Sequence, residues 1–469
     1  MGALDFTIIL LYVGIMIIAG FIGMRKAKSN DDYLVSGRSL PVPIFVACIA
    51  TVVIGGGATF GQATQGYNFG ISAMWMVTMF GVGVLALGFL LSTKLSNLRI
   101  LSLGEMMQLR YNDKARLISS VISTFYVIMV SVTNTISLGA CIQTIFGWSL
   151  SSSIIFISSI CLLYTLLGGM ISINITDTIQ FILMTISIFF ILLPLGLSKV
   201  GGFSGMQEVL PDSYFDPFAV GGTRIFSWFV LYTLGLMIGQ DIWQRVFTAK
   251  NAKVARTGTI LGGLYTILWA AAITIIGMVA MVLLPNITPQ NALSEVTIAA
   301  LPTGLIGLVF AGIMSAFMST ISGTVIASST MIVNDILPVK NKSLKLTRGV
   351  VICNGIIVML IAVIIGDVLT ALDIAYALVS GSIFVPVIAA FFWKRANWQG
   401  AIASMVASSI VIVIALIICG TTSTTPILLG VTVSAVTLVI VSLITKPTAK
   451  KQADEWEKKT APAKNAFNE

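Results

Sequence analysis

Apolar runs of about 20 residues recur from one end of the chain to the other, separated by short polar stretches. Runs of this length are too long for membrane β-strands or for the buried helices of a soluble domain. In lipid each backbone polar group must also be satisfied inside its own segment, so the pattern predicts spanning helices. A window of about 19 residues gives roughly thirteen spans: 4–24, 42–65, 70–93, 118–146, 149–169, 172–198, 223–243, 257–285, 303–334, 347–366, 369–392, 399–419 and 425–445. The first run, Leu4 to Met24, has no basic stretch before it and no Ala-x-Ala-like site after it, and it is read as a helix rather than a cleaved signal.

Basic residues fall after every second span: Arg25, Lys26, Lys28 and Arg38; Lys94, Arg99, Arg110, Lys114 and Arg116; Arg245, Lys250, Lys253 and Arg256. The series continues with Lys340, Lys342, Lys345 and Arg348, then Lys394 and Arg395, then Lys446 onward. By the positive-inside rule these are cytoplasmic, which places the N-terminus outside, the C-terminus inside and the chain in the plasma (cytoplasmic) membrane. One transmembrane domain, 1–445, is expected, followed by a polar cytoplasmic tail, 446–469, solvated or at the membrane surface.

Composition narrows the chemistry. With 57% hydrophobic and 10% charged residues, the chain is an all-α polytopic membrane protein rather than a soluble globule. The net charge of +9 sits in the short loops and is explained by topology, not by a nucleic-acid partner. The absence of histidine removes imidazole metal sites, histidine general bases and histidine proton relays. The five cysteines lie in apolar runs without CxxC spacing and read as small buried hydrophobes.

Two spans look broken. Ile54-Gly55-Gly56-Gly57-Ala58-Thr59 stacks three glycines in the second span, each costing about 1 kcal/mol in a helix relative to alanine. Backbone groups freed at such a break survive in lipid only where they face protein, an ion or a wet cavity, which makes it a candidate binding site. Gly235 and Gly239-Gln240-Asp241 offer a weaker break in the seventh span. In the ninth span, Ala316, Ser319, Thr320 and Gly323 share one helical face and present hard oxygen donors suited to a hard cation. Asp177 lies inside the sixth span, where a carboxylate is costly without a partner.

The segment around Thr176-Asp177, the Ala316-x-x-Ser319-Thr320 pattern, the glycine-rich second span and Gln244-Arg245 after the seventh together resemble the sodium/solute symporter family, over almost the whole chain. The resemblance implies a leucine-transporter-type fold of two inverted five-helix repeats, about 42–198 and 223–392. It implies a sodium site made by Thr51, Ile54 and Ala316 carbonyls with the Ser319 and Thr320 hydroxyls, Na+ being the coupling ion. Some members carry a further ion site, which would use Asp177, Ser319, Ser322 and the position of Gly323; glycine offers no hydroxyl, so Asp177 is alternatively a proton acceptor or a sodium relay.

The expected function is therefore secondary active symport of a small organic solute by alternating access, and not an enzyme. With no Lys or Arg read as buried mid-span, a zwitterionic or neutral solute is favoured, near Gly55, Gly56, Gly57, Trp75, Tyr232 and Gln240. Proton coupling on the same fold, or a sensor or channel, are the alternatives. The partners expected are the solute and the bilayer, with the monomer as the working unit.

Overall fold

The computed structural model describes residues 1–26, 33–34, 36–339, 343–421 and 423–460. Lys28, Lys340, Lys342 and tail residues 461–469 lie outside them. Among the described residues there is no β-strand beyond an isolated bridge between Leu40 and Ala249. The helices run in order: α1 Ala3–Lys26, α2 Val42–Val53, α3 (57–69), α4 Trp75–Leu90 and α5 Asp113–Phe146. Then come α6 Leu150–Leu166, α7 Gly169–Lys199, α8 Gly222–Ile238, α9 Gln240–Val246 and α10 Ala252–Leu283. The series closes with α11 Leu305–Ile336, α12 Leu344–Ile365, α13 Val368–Phe392, α14 Trp398–Cys419, α15 Thr425–Ile444 and α16 Lys450–Thr460.

Among the described residues, ten helices are long and apolar enough to cross a membrane, or eleven when α8 and α9, bent by 42° at Gly239, count as one. The roughly thirteen spans expected from hydropathy do not each appear as one such helix. The apolar run at 42–65 is cut after Val53, where Ile54 leaves helical geometry (φ −87°, ψ 78°). The turn between the expected spans 149–169 and 172–198 falls at Gly169 (φ 55°), a conformation that glycine adopts without the penalty of a Cβ, and the first of the two is the shorter apolar helix α6.

Side-chain caps start many helices at the bundle's ends. Asn112, Asn251, Asp367 and Asn397 accept from Ala115, Val254, Thr370 and Gly400 amides, satisfying donors that lipid would leave bare. Asp5 of α1, fully buried, accepts from the Gly304 and Gly307 amides at 2.7 and 2.8 Å and so fixes α1 to the N-terminus of α11.

α11 is the central helix. Its most apolar stretch is 89% buried in protein, against 28% for α12, α14 and α15, whose outer faces are left for lipid. It packs on α5, α7 and α1, while α10 lies along α4, α3 and α2.

The two ends of the bundle differ in charge. Arg38 donates to Arg99 and Ile100 carbonyls, Arg116 pairs with Asp335 at 2.8 Å, and Arg110 donates to the Ala390 carbonyl in the last turn of α13 and to the Ala396 carbonyl just after it. These contacts make one basic end. The opposite end gathers Gly2 beside Thr303, Tyr67 donating to the Leu284 carbonyl, and Trp75 donating to Pro217.

The tail departs from a purely solvated segment. α16 docks at the basic end through Trp456, 6% exposed, against Phe391 at 5.2 Å, with Gln452 donating to the Tyr111 carbonyl at 2.8 Å. A lone tryptophan in a charged run is the sequence signal for this contact.

Candidate functional site

The break between α2 and α3 changes where backbone bonds go. The Gly55 amide turns back to the Val53 carbonyl at 3.1 Å, and the Gly56 amide donates to Asn134 Oδ1 of α5 at 2.7 Å. These are the amides that would otherwise bond the Thr51 and Val52 carbonyls in a continuous helix. The two freed carbonyls point to α11 instead, where the Thr320 hydroxyl lies 3.1 Å from Thr51 O, 3.5 Å from Val52 O and 3.0 Å from Ala316 O.

Three carbonyls and a hydroxyl thus converge on one buried point between α2 and α11. This is a hard, uncharged oxygen set, matched to a hard monovalent cation and unlike the thiolate or imidazole sets that hold transition metals. Of the five expected ligands, Thr51, Ala316 and Thr320 are brought together here. Ile54 is instead the C-cap of α2, directly after Val53, and the second carbonyl within reach of Thr320 is that of Val52.

Ser319 faces a neighbouring network. Its hydroxyl donates to Asp177 Oδ1 at 2.6 Å, while Asp177 Oδ2 lies 3.0 Å from Arg245 Nη2, with both side chains at most 1% exposed. The ion pair is close but unaligned: neither of these two atoms makes a geometrically good hydrogen bond. Arg245 Nη1 also donates to Met170 Sδ at 3.2 Å.

This corrects the reading of Arg245 as a loop residue and of the spans as free of buried basic groups. The bend at Gly239 turns α9 inward, carrying the guanidinium into the bundle. Gly323 makes the room: a Cβ there would stand 2.6 Å from Arg245 Nη2. Ser322 bonds the Ser319 carbonyl at 3.0 Å rather than Asp177.

A large cavity with charged groups in a mostly apolar wall lies toward the end opposite the basic loops. It measures about 700 Å³ and is lined by Gln65 of α3, Arg224, Trp228 and Tyr232 of α8, and Asp373 of α13, with Ser423, Thr424 and Pro426 also in its wall. Tyr232 donates to Asp373 Oδ1 at 2.6 Å, and Arg224 donates to Gln65 Oε1 at 3.3 Å. Beneath it the rings of Tyr232, Tyr376 and Tyr126 follow one another at 5.3 Å centroid spacings, and the Tyr126 hydroxyl reaches Asp241 Oδ1 at 3.3 Å. An aromatic column therefore runs from the cavity floor to the α8–α9 bend.

Of the residues expected near the solute, Tyr232 lines this cavity. Gly55 and Gly56 pack on Asn134 and Ser137 of α5, Gly57 on Leu372 of α13, and Trp75 stacks on Phe218. Gln240 is engaged elsewhere, accepting from the Leu103 amide at 2.7 Å. Arg224 and Asp373 carry no distinguishing signal in the sequence, because both sit near span ends, where charge reads as interfacial.

The model of the family described as "Sodium:solute symporter family" matches residues 33–408. A sodium/glucose cotransporter 4 of Danio rerio is 24% identical over 96% of this chain and 80% of its own length. A sodium/proline symporter of Staphylococcus aureus is 24% identical over 87% of this chain and 85% of its own. A Na+-coupled sialic acid symporter, solved substrate-bound and outward-open, superposes with a TM-score of 0.82 at 20% identity, covering 96% of this chain and 99% of that one. Mhp1, a nucleobase-cation-symport-1 family transporter, superposes with a TM-score of 0.59 at 14% identity over 91% and 98%.

Proposed function

The chain belongs to the sodium:solute symporter family, a family of transporters and not of enzymes, and from that premise we propose that it couples inward movement of Na+ to uptake of a small zwitterionic or neutral solute. The observation that carries the proposal is the convergence of the Thr51, Val52 and Ala316 carbonyls on the Thr320 hydroxyl at the α2 break. A sodium ion there would be coordinated by these oxygens in place of the hydroxyl's contacts, tying α2 to α11.

Coupling follows from shared elements. The broken α2–α3 pair contributes Thr51 and Val52 to the oxygen cluster and Gln65 to the cavity, so an ion that fixes the break also sets the cavity wall. Ion and solute that favour one conformation raise each other's affinity by the same factor. One charge entering at 100 mV supplies about 2.3 kcal/mol, enough for more than tenfold accumulation.

The proposed stoichiometry is one sodium. Asp177, an expected ligand of a further ion, already faces the fixed cation of Arg245 and takes the Ser319 hydroxyl on its other oxygen, and Gly323 leaves the guanidinium its space. The same reading assigns the basic end to the cytoplasm, the cavity to the outside of the plasma membrane, and α2–α7 and α8–α13 to two inverted repeats, each opening with a broken helix. The monomer is the proposed transport unit. Proteoliposome uptake measured with inward sodium, potassium or proton gradients tests this: the sodium gradient alone should drive accumulation, and uptake driven equally by protons would overturn it.

A further inference from the structure

The cavity holds two opposite charges that feel each other's field without pairing. Among the described residues Arg224 and Asp373 form no ion pair, although both line the same space. Each is instead held by neutral partners. The Arg224 guanidinium lies 4.6 Å from the Phe69 ring and 5.2 Å from that of Trp228, with Gln65 accepting one N–H. That leaves most of its donors available. Asp373 receives the Tyr232 hydroxyl on Oδ1, and Oδ2 keeps its accepting capacity.

Partly desolvated charges cost free energy unless an opposite charge arrives, and leaving two of them separated makes sense when one ligand meets both. A neutral polyol would compensate neither charge, and a simple anion or cation would satisfy one and face the other. Building on the reading as a sodium-coupled solute symporter, we infer that this cavity selects a compact zwitterion of amino-acid or betaine type, its carboxylate on Arg224 and its cationic group on Asp373. The Tyr232 ring, whose hydroxyl bonds Asp373, stands beside the cationic end, where a ring face attracts a positive charge.

The test uses the purified full-length protein and follows its melting temperature with and without sodium. L-Alanine, L-proline and glycine betaine serve as zwitterions, D-glucose as the neutral probe, choline as the cation and pyruvate as the anion. At least one zwitterion should stabilise further in sodium, and its apparent affinity should fall about tenfold or more in both Arg224→Gln and Asp373→Asn. Arg224→Lys, which keeps the charge, should retain part of it. Stabilisation confined to glucose, choline or pyruvate, no stabilisation by any zwitterion, or a zwitterion effect indifferent to both substitutions would overturn the inference. The shift with sodium alone reports the ion site: its persistence in each variant shows a folded protein, and its absence in the native protein counts against sodium coupling instead.

Discussion

Thr320 has one hydroxyl among three carbonyl oxygens, and its neighbour Ser319 points to a carboxylate instead. Two adjacent residues that share a sequence pattern are thus expected to differ in effect. Asp177→Asn should destabilise the protein by about 3–5 kcal/mol, because it strands a buried guanidinium without its partner. The double variant Asp177→Asn/Arg245→Gln should recover part of that loss; melting curves of the two singles and the double check it, and strictly additive losses would refute the pairing. Ser322→Ala, by contrast, should leave sodium activation unchanged, and wild-type uptake should rise with sodium at a Hill coefficient of about 1. Ala316 and Thr320 are legible in the sequence because helical periodicity puts positions four apart on one face, whereas periodicity does not show that Ser319 turns to Asp177. The Arg245 partner of Asp177 is not legible either, because whether a residue at a span end points to loop or core depends on the bend at Gly239.

At the scale of elements, the α2 break is held open from outside. Asn134 of α5 accepts from the Gly56 amide, and its own amide donates to the Val130 carbonyl at 2.7 Å. Asn134→Ala should cost about 1–3 kcal/mol by leaving that buried amide unpaired, and it should impair uptake while the protein still inserts. Gly56→Val should abolish uptake, since any Cβ there would run into the Ser137 side chain and the Thr133 carbonyl. Reconstituted uptake with quantified protein in the vesicles checks both; an inserted, fully active Gly56→Val would remove the need for a broken helix. The three glycines announce the break in the sequence. The residue that pins it lies on another span, and no local pattern connects the two.

For the molecule as a whole, hydropathy predicts the helical class and the alternation of ends, and basic residues collect at one end as the loops require. It misses what tertiary packing creates. Arg224 and Asp373 come from spans far apart in sequence and meet only across a cavity, and Trp456 finds its surface only after α13 and the 110–111 segment are placed. Trp456→Ala should release α16 to protease and lower stability by about 2 kcal/mol, with sodium activation unchanged. A tail that stays protected would contradict that docking. Proposed symport turns on Na+ binding where α2 breaks against α11, coupled there to the solute. Radiolabelled sodium binding to purified wild-type and Thr320→Ala protein, with the melting curve of each as a fold control, measures it most directly. Saturable sodium binding in the wild type, weakened about tenfold in a folded Thr320→Ala variant, is the predicted result; equal sodium affinity in the two would contradict it.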